Sequence, residues 1–418
     1  MSKSFKKNIL TMLSGSIFSQ IIIVISSPIL TRLFSTEEIG IFTVFLTVSS
    51  LLIPIANFRY DLVLVKENDK RVLNELIRIC FTFSYILIVA VTLLIFIYSF
   101  NNRYFLGVNI YFFYLLIPVI YFSSINNVIN SLSNKVKYYN LMSKVLIFKA
   151  LSLTFLQILM GIFKVGEIGL IATYVVSLTV GYVVMSNKIS KEFPISFQYS
   201  FNKKVITKYI DQLRYSTPSI LLNSLSFSLI IFIITILYSS HEVGLYSMTT
   251  RILGLPITVI SIAFSKVFYE KAIEYFQKYG EFRSIYLKST LLLVSLSFPL
   301  FILLSFISPL IFEIFLGENW REAGEYVAYL APYYAIRLVV SCLSLSIVVI
   351  NKQKFELVLQ SLFIFSSVVS YLISDLYHLN IKSFFIFITI TYSFNYILFY
   401  LYILKHSKKQ IHLNSNNK

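Results

Sequence analysis

Twelve separate stretches of about twenty residues run with almost no charge, and nothing else in the sequence limits the fold so severely. A helix needs ~20 apolar residues to cross the ~30 Å hydrocarbon core of a bilayer. The runs fall at 9–30, 39–58, 76–99, 110–130, 145–163, 169–186, 217–238, 247–268, 289–315, 326–350, 355–375 and 383–404. Across all 418 residues, 57% are hydrophobic and 13% charged, about half the ~25% charge of soluble domains. Such a chain cannot cover a water-facing surface, which excludes a soluble globular protein, a disordered chain and a fibrous repeat. Cys80 and Cys342 both lie inside apolar runs, so neither a disulfide scaffold nor a redox role follows.

The formal net charge is +17, which in a soluble protein would suggest nucleic acid as a partner. Here the cations follow the spans. With the N-terminus taken as cytoplasmic, 28 of the 36 Lys and Arg fall in the tails and inside segments with their flanks. Five lie outside (Arg32, Arg103, Lys164, Arg321 and Lys382) and three lie within spans (Lys149, Arg251 and Arg337). Basic residues resist translocation, so this asymmetry predicts cytoplasmic termini and no nucleic-acid role. The first run passes twenty residues without a small-x-small cleavage site, so it is expected to stay as the first helix.

The longest polar segment, near 187–216, separates two sets of six spans. The expected organisation is a six-helix bundle over 1–190, a cytoplasmic linker over 191–216, a second bundle over 217–404 and a tail over 405–418. Residues 31–42 (TRLFSTEEIGIF) align without gaps on 235–246 (TILYSSHEVGLY). In each, a Ser followed three residues later by Glu, Ser35/Glu38 and Ser239/Glu242, reads as a capping box at a tight helix–helix turn. Short helix turns also converge on such residues independently. Halves of even span number make the repeat parallel in topology. The predicted fold class is all-α: twelve transmembrane helices in two six-helix bundles. Eight of the nine prolines (all but Pro194) fall within spans, where they suit helices that bend between two states.

No nucleotide-binding glycine loop and no His-Glu-x-x-His motif occur, and the outside loops are short, so an enzyme, a cofactor and a metal centre are all unexpected. The intramembrane cations are the strongest chemical signal, because a charge at helix centre costs ~2.5–3.5 kcal/mol on insertion scales. Lys149 and Arg251 lie near span ends and either snorkel to the interface or line a cavity. Arg337 lies deeper. All acids can be placed in loops or at span ends, so an anion is the expected ligand of Arg337, Arg251 and Lys149. Gating or coupling candidates are Arg59, Asp61, Arg32, Glu313 and Asp375, with Gln20, Asn223 and Asn395 as neutral alternatives.

Several stretches resemble bacterial polysaccharide-biosynthesis flippases, the O-antigen or capsule repeat-unit translocases of the multidrug/oligosaccharidyl-lipid/polysaccharide exporter superfamily. These are residues 13–16 (LSGS) through 27–35 (SPILTRLFS), Arg59-Tyr60-Asp61, 218–224 (PSILLNS), 243–246 (VGLY) with 251–256 (RILGLP), and 317–326 (GENWREAGEY) with Leu330-Ala331-Pro332 and Arg337. The resemblance implies that an undecaprenyl-pyrophosphate-linked oligosaccharide is moved from the cytoplasmic to the outer leaflet of a bacterial inner membrane by alternating access. It further implies membrane lipids, a polysaccharide polymerase and chain-length proteins as partners, and no covalent chemistry. A drug or small-solute exporter of the same superfamily is the competing reading, and it would be expected to carry cavity carboxylates. A non-transporting membrane scaffold is a third.

Overall fold

A computed structural model of the chain describes residues 3–193, 199–350, 352 and 354–408. Twelve helices are long and apolar enough to cross a membrane, one for each predicted run. They are α1 (Lys3–Leu33), α2 (Thr36–Leu52), α3 (Lys70–Ser99), α4 (Leu116–Lys135), α5 (Tyr139–Ile162), α6 (Glu167–Glu192), α7 (Thr217–Leu237), α8 (Ser240–Tyr279), α9 (Arg283–Leu316), α10 (Arg321–Leu343), α11 (Lys354–Leu376) and α12 (Ile381–His406). The expected tail cations Lys409 and Lys418 lie outside the described residues. Sheet among the described residues is a single hairpin between α3 and α4, Tyr104–Phe105 paired antiparallel with Val108–Asn109. Its two-residue turn has φ +51° at Leu106 and +69° at Gly107, the doubly positive geometry that matches strand twist in tight hairpins.

By packing, the chain divides into two compact units, residues 1–247 and 248–418. The boundary falls inside α8, beyond the segment expected to be a linker. Residues 199–209 are fastened to the first unit. The Ser200 amide donates to the Thr82 hydroxyl at 2.9 Å and its own hydroxyl to Glu75 at 2.7 Å. The Tyr60 hydroxyl donates to the Ile206 carbonyl at 3.1 Å. Lys208 meets Glu67 at 3.0 Å, and the Tyr209 hydroxyl donates to the same carboxylate. With the Asp69 amide also donating, and Tyr209 contributing most, these bonds hold the Glu67 carboxyl down at about 2.

The aligned turns of the repeat fold alike and meet. Ser35 caps α2 through a complete capping box with Glu38, and the Glu242 amide donates to the Ser239 hydroxyl at 3.3 Å. The starts of α2 and α8 then cross so closely that a Cβ on Gly40 would stand 1.7 Å from the Ser240 carbonyl oxygen. A Cβ on Gly244 would stand 1.9 Å from that of Thr36. Thr36 aligns with Ser240 and Gly40 with Gly244, so the contact is reciprocal. Small residues four apart are what permits such approach in lipid, and Thr36 Oγ1 closes the crossing on His241 Nδ1 at 2.6 Å.

In the second unit, α9 and α10 form the tightest pair. Ser308 donates to the Gly324 carbonyl at 2.8 Å, and a Cβ on Gly324 would lie 2.6 Å from Pro309 Cα. At the other end of α9 the Phe282 amide donates to the Ser407 carbonyl at 3.1 Å, and Tyr286 stacks on Tyr400 of α12 at 5.2 Å. With 40 residues α8 is about 60 Å long, twice a hydrocarbon core. Its second half, with Lys271, Glu274 and Lys278, is polar enough to stand in water.

Candidate functional site

The predicted cations divide between the units. Lys149 lies in the first, on α5, beside a cavity of about 390 Å³ walled by α1, α2, α4, α5 and α6. The cavity sits in the half of the unit that carries the starts of α1 and α5 and the ends of α2, α4 and α6. Lys149 is half-buried with its Nζ 5.8 Å from the Tyr174 ring centroid, and among the described residues it has no hydrogen bond or ion pair. Facing it is a polar stripe on α4 that sequence reading missed: Ser123, Asn126, Asn127 and Asn130. Asn127 Nδ2 donates to the Ile53 carbonyl at 3.1 Å and to Asn57 Oδ1 at 3.2 Å. Asn126 Nδ2 donates to the Leu178 carbonyl at 2.7 Å. The signal was present, since polar residues at i, i+3, i+4 and i+7 in an apolar helix share one face.

Arg251 and Arg337 belong to the second unit, on α8 and α10. Those helices touch where Thr249 Oγ1 donates to the Ala323 carbonyl at 2.7 Å and where the Cys342 thiol lies 3.5 Å from Ser261 Oγ. Both arginines occur on the stretches between these contacts, and both are half-buried. Arg337 Nη1 donates to the Tyr333 hydroxyl at 3.3 Å. The guanidinium carbon lies 6.0 Å from the Tyr333 ring centroid and 5.5 Å from that of Tyr334, within cation–π range. Behind them α12 supplies Tyr392 and Tyr396, at 5.6 and 5.9 Å from Tyr333, and α11 supplies Phe363, at 4.8 Å from Tyr392. The Ser367 and Tyr392 hydroxyls bond at 2.6 Å, and Asn395 Nδ2 donates to Ser366 at 2.9 Å. A guanidinium on tyrosine faces, with hydroxyls nearby, offers an anion both charge and donors.

The gating and coupling candidates scatter. Arg59 and Asp61 share the turn after α2, where Phe58 and Arg59 take φ +47° and +64°. Asp61 is 7% exposed; its Oδ1 and Arg59 Nε both lack a hydrogen-bond partner. Burial pushes the Asp61 carboxyl upward, with the Arg59 charge pulling the other way. Arg32 is exposed and donates to the Pro28 carbonyl at 2.9 Å. Glu313 pairs with Arg321 at 2.6 Å, 32% and 61% exposed, and Asp375 is exposed at the end of α11. Of the neutral alternatives, Gln20 is exposed, Asn223 half-buried and Asn395 buried. Neither cysteine is paired, and both are buried. Among the described residues, no three His, Cys, Asp or Glu side chains converge on a possible metal site.

Among the described residues, twelve helices long and apolar enough to cross a membrane define a polytopic all-α membrane protein. Three solved structures are similar in fold. "Lipid II flippase MurJ, inward closed conformation" has TM-score 0.77 at 14% identity, covering 95% of this chain and 87% of that one. An inward-facing multidrug resistance MATE family transporter of the MOP superfamily has TM-score 0.71 at 14% identity, covering 94% and 97%. A MOP superfamily transporter from Pyrococcus furiosus, whose title reports reversed polarity of the binding pocket, has TM-score 0.58 at 13% identity, covering 97% of each chain. A comparison with curated proteins returned no match. The model of a family described as polysaccharide biosynthesis protein matches residues 29–325, and the chain belongs to that family.

Proposed function

We propose that the chain is a flippase carrying undecaprenyl-pyrophosphate-linked oligosaccharide repeat units from the cytoplasmic to the outer leaflet by alternating access, for O-antigen, capsule or another surface polysaccharide. The observation that carries the reading is Lys149: an ammonium without hydrogen bond or ion pair, set in a membrane-embedded cavity among amides. A cation within the membrane span is costly unless something compensates it, and a pyrophosphate does so while its lipid tail stays in the bilayer. Arg251 and Arg337 add cationic charge in the second unit. The chain binds and moves its substrate and breaks no bond in it, with no cofactor.

The distribution of cations supports a cytoplasmic-membrane setting with both termini inside. In that orientation the Lys149 cavity lies toward the leaflet where such lipids are assembled. The six-and-six organisation about 191–216 and a gating role for Arg59 and Asp61 belong to the same proposal, as do partnerships with a polymerase and chain-length proteins. A multidrug or small-solute exporter is the second reading, favoured by the likeness to MATE-family structures.

The experiment is a deletion strain complemented with wild type, Arg337→Gln or Arg337→Lys. Deletion is expected to abolish surface glycan and accumulate the lipid-linked unit on the inner leaflet. Arg337→Gln should fail to restore glycan, and Arg337→Lys should restore it in part. Unchanged glycan and lipid pools in the deletion strain would point to the exporter; full rescue by both variants would remove Arg337 from the path.

A further inference from the structure

The α4 stripe holds its free groups in one pattern. Asn126 and Asn127 spend their amide nitrogens on the Leu178 carbonyl of α6, on the Ile53 carbonyl just past α2 and on Asn57, which fixes both amides and leaves both Oδ1 atoms without a donor among the described residues. One turn before them the Ser123 hydroxyl, 2% exposed, has no hydrogen-bond partner. One turn after them the Asn130 amide is exposed and makes no hydrogen bond. A buried hydroxyl left unbonded costs ~1–3 kcal/mol, so a helix that kept it for packing alone would be better served by Ala. Gly181 of α6 gives the Asn126 amide its place in the wall: a Cβ there would stand 2.2 Å from Asn126 Oδ1. The cavity's volume, about 390 Å³, lies within the ~300–1,000 Å³ of small-molecule sites.

Unused amide oxygens and a hydroxyl at helical spacing suit a ligand that presents several hydroxyls at similar intervals, which is the chemistry of a sugar ring. Lys149 shares the cavity. We infer that the α4 stripe is the subsite for the sugar joined directly to the pyrophosphate, its hydroxyls donating to Asn126 and Asn127 Oδ1 and bonding Ser123 and Asn130, while Lys149 holds the phosphate. This rests on the flippase reading above and adds which part of the substrate the first unit recognises. Specificity for the first sugar therefore resides in α4.

The test uses the full chain in nanodiscs and two probes: the lipid-linked oligosaccharide pool extracted from the deletion strain, and sugar-free undecaprenyl pyrophosphate. Wild type should bind the glycan-bearing lipid at least about tenfold more tightly. The double variant Ser123→Ala/Asn130→Ala should lose about tenfold of that preference, as expected for two hydrogen bonds, with affinity for the sugar-free lipid unchanged. A preference retained by the double variant overturns the inference, as does a wild type that binds both lipids equally. If wild type binds neither, the flippase reading itself falls. Should the double variant lose both lipids together, Asn130→Ser, at a site with no bond to lose in the free protein, is read by the same two criteria.

Discussion

At the scale of single residues, the cations were legible and their settings were not. Lys149, Arg251 and Arg337 stand out in any apolar run because charge there is expensive. The tyrosines around Arg337 did not stand out, since aromatic residues make up 17% of the chain and the cage joins positions some sixty residues apart. The α4 stripe was legible in its helical spacing, but the ties of Asn126 and Asn127 to backbone carbonyls were not. Glu67 gives a residue-scale prediction of pH dependence. A carboxyl held at about 2 when folded, against 4.5 when free, stabilises the docked segment above that free value and loses the effect as pH falls toward 2. Glu67→Gln should therefore lower amide-exchange protection of residues 199–209 at pH 7. The difference from wild type should shrink between about pH 4.5 and 2, and one constant across that window would show that the charge is not what docks the segment.

Among the elements, the helix turns were the most legible because caps act over three or four residues. Ser35 with Glu38, and Ser239 with Glu242, fell where the spacing placed them. The segment after α6 was less so: its polar composition suggested a tether, yet Ser200, Ile206 and Lys208 fix it to residues more than a hundred positions earlier. The close crossing of α2 and α8 makes its own prediction. Gly40→Leu and Gly244→Leu each drive a side chain into a backbone carbonyl of the other helix, so both should destabilise by about 1–3 kcal/mol or more. Thermal unfolding in detergent should show similar losses for the two. A neutral effect at either position would mean the crossing is looser than described.

For the whole molecule, twelve spans were readable from length and apolarity alone, since in lipid every backbone group must be satisfied within its own helix. The orientation proposed from the cations is open to direct measurement. With Cys80 and Cys342 replaced by Ala, a single cysteine at Arg103 or Lys164 should react with a membrane-impermeant thiol reagent in intact spheroplasts. One at Lys191 or Lys271 should react only after permeabilisation. The reverse pattern would invert the topology and place the Lys149 cavity on the wrong leaflet for loading.

The crossing of α2 and α8 also carries a history. Thr36 meets Gly244 as Ser240 meets Gly40, and Gly40 and Gly244 meet each other. That self-complementarity marks isologous interfaces, in which two copies of one patch close around a two-fold axis. A half-length chain bearing one such turn would pair with a second copy by this same clasp. Two such chains fused end to end would keep that seam inside a single polypeptide.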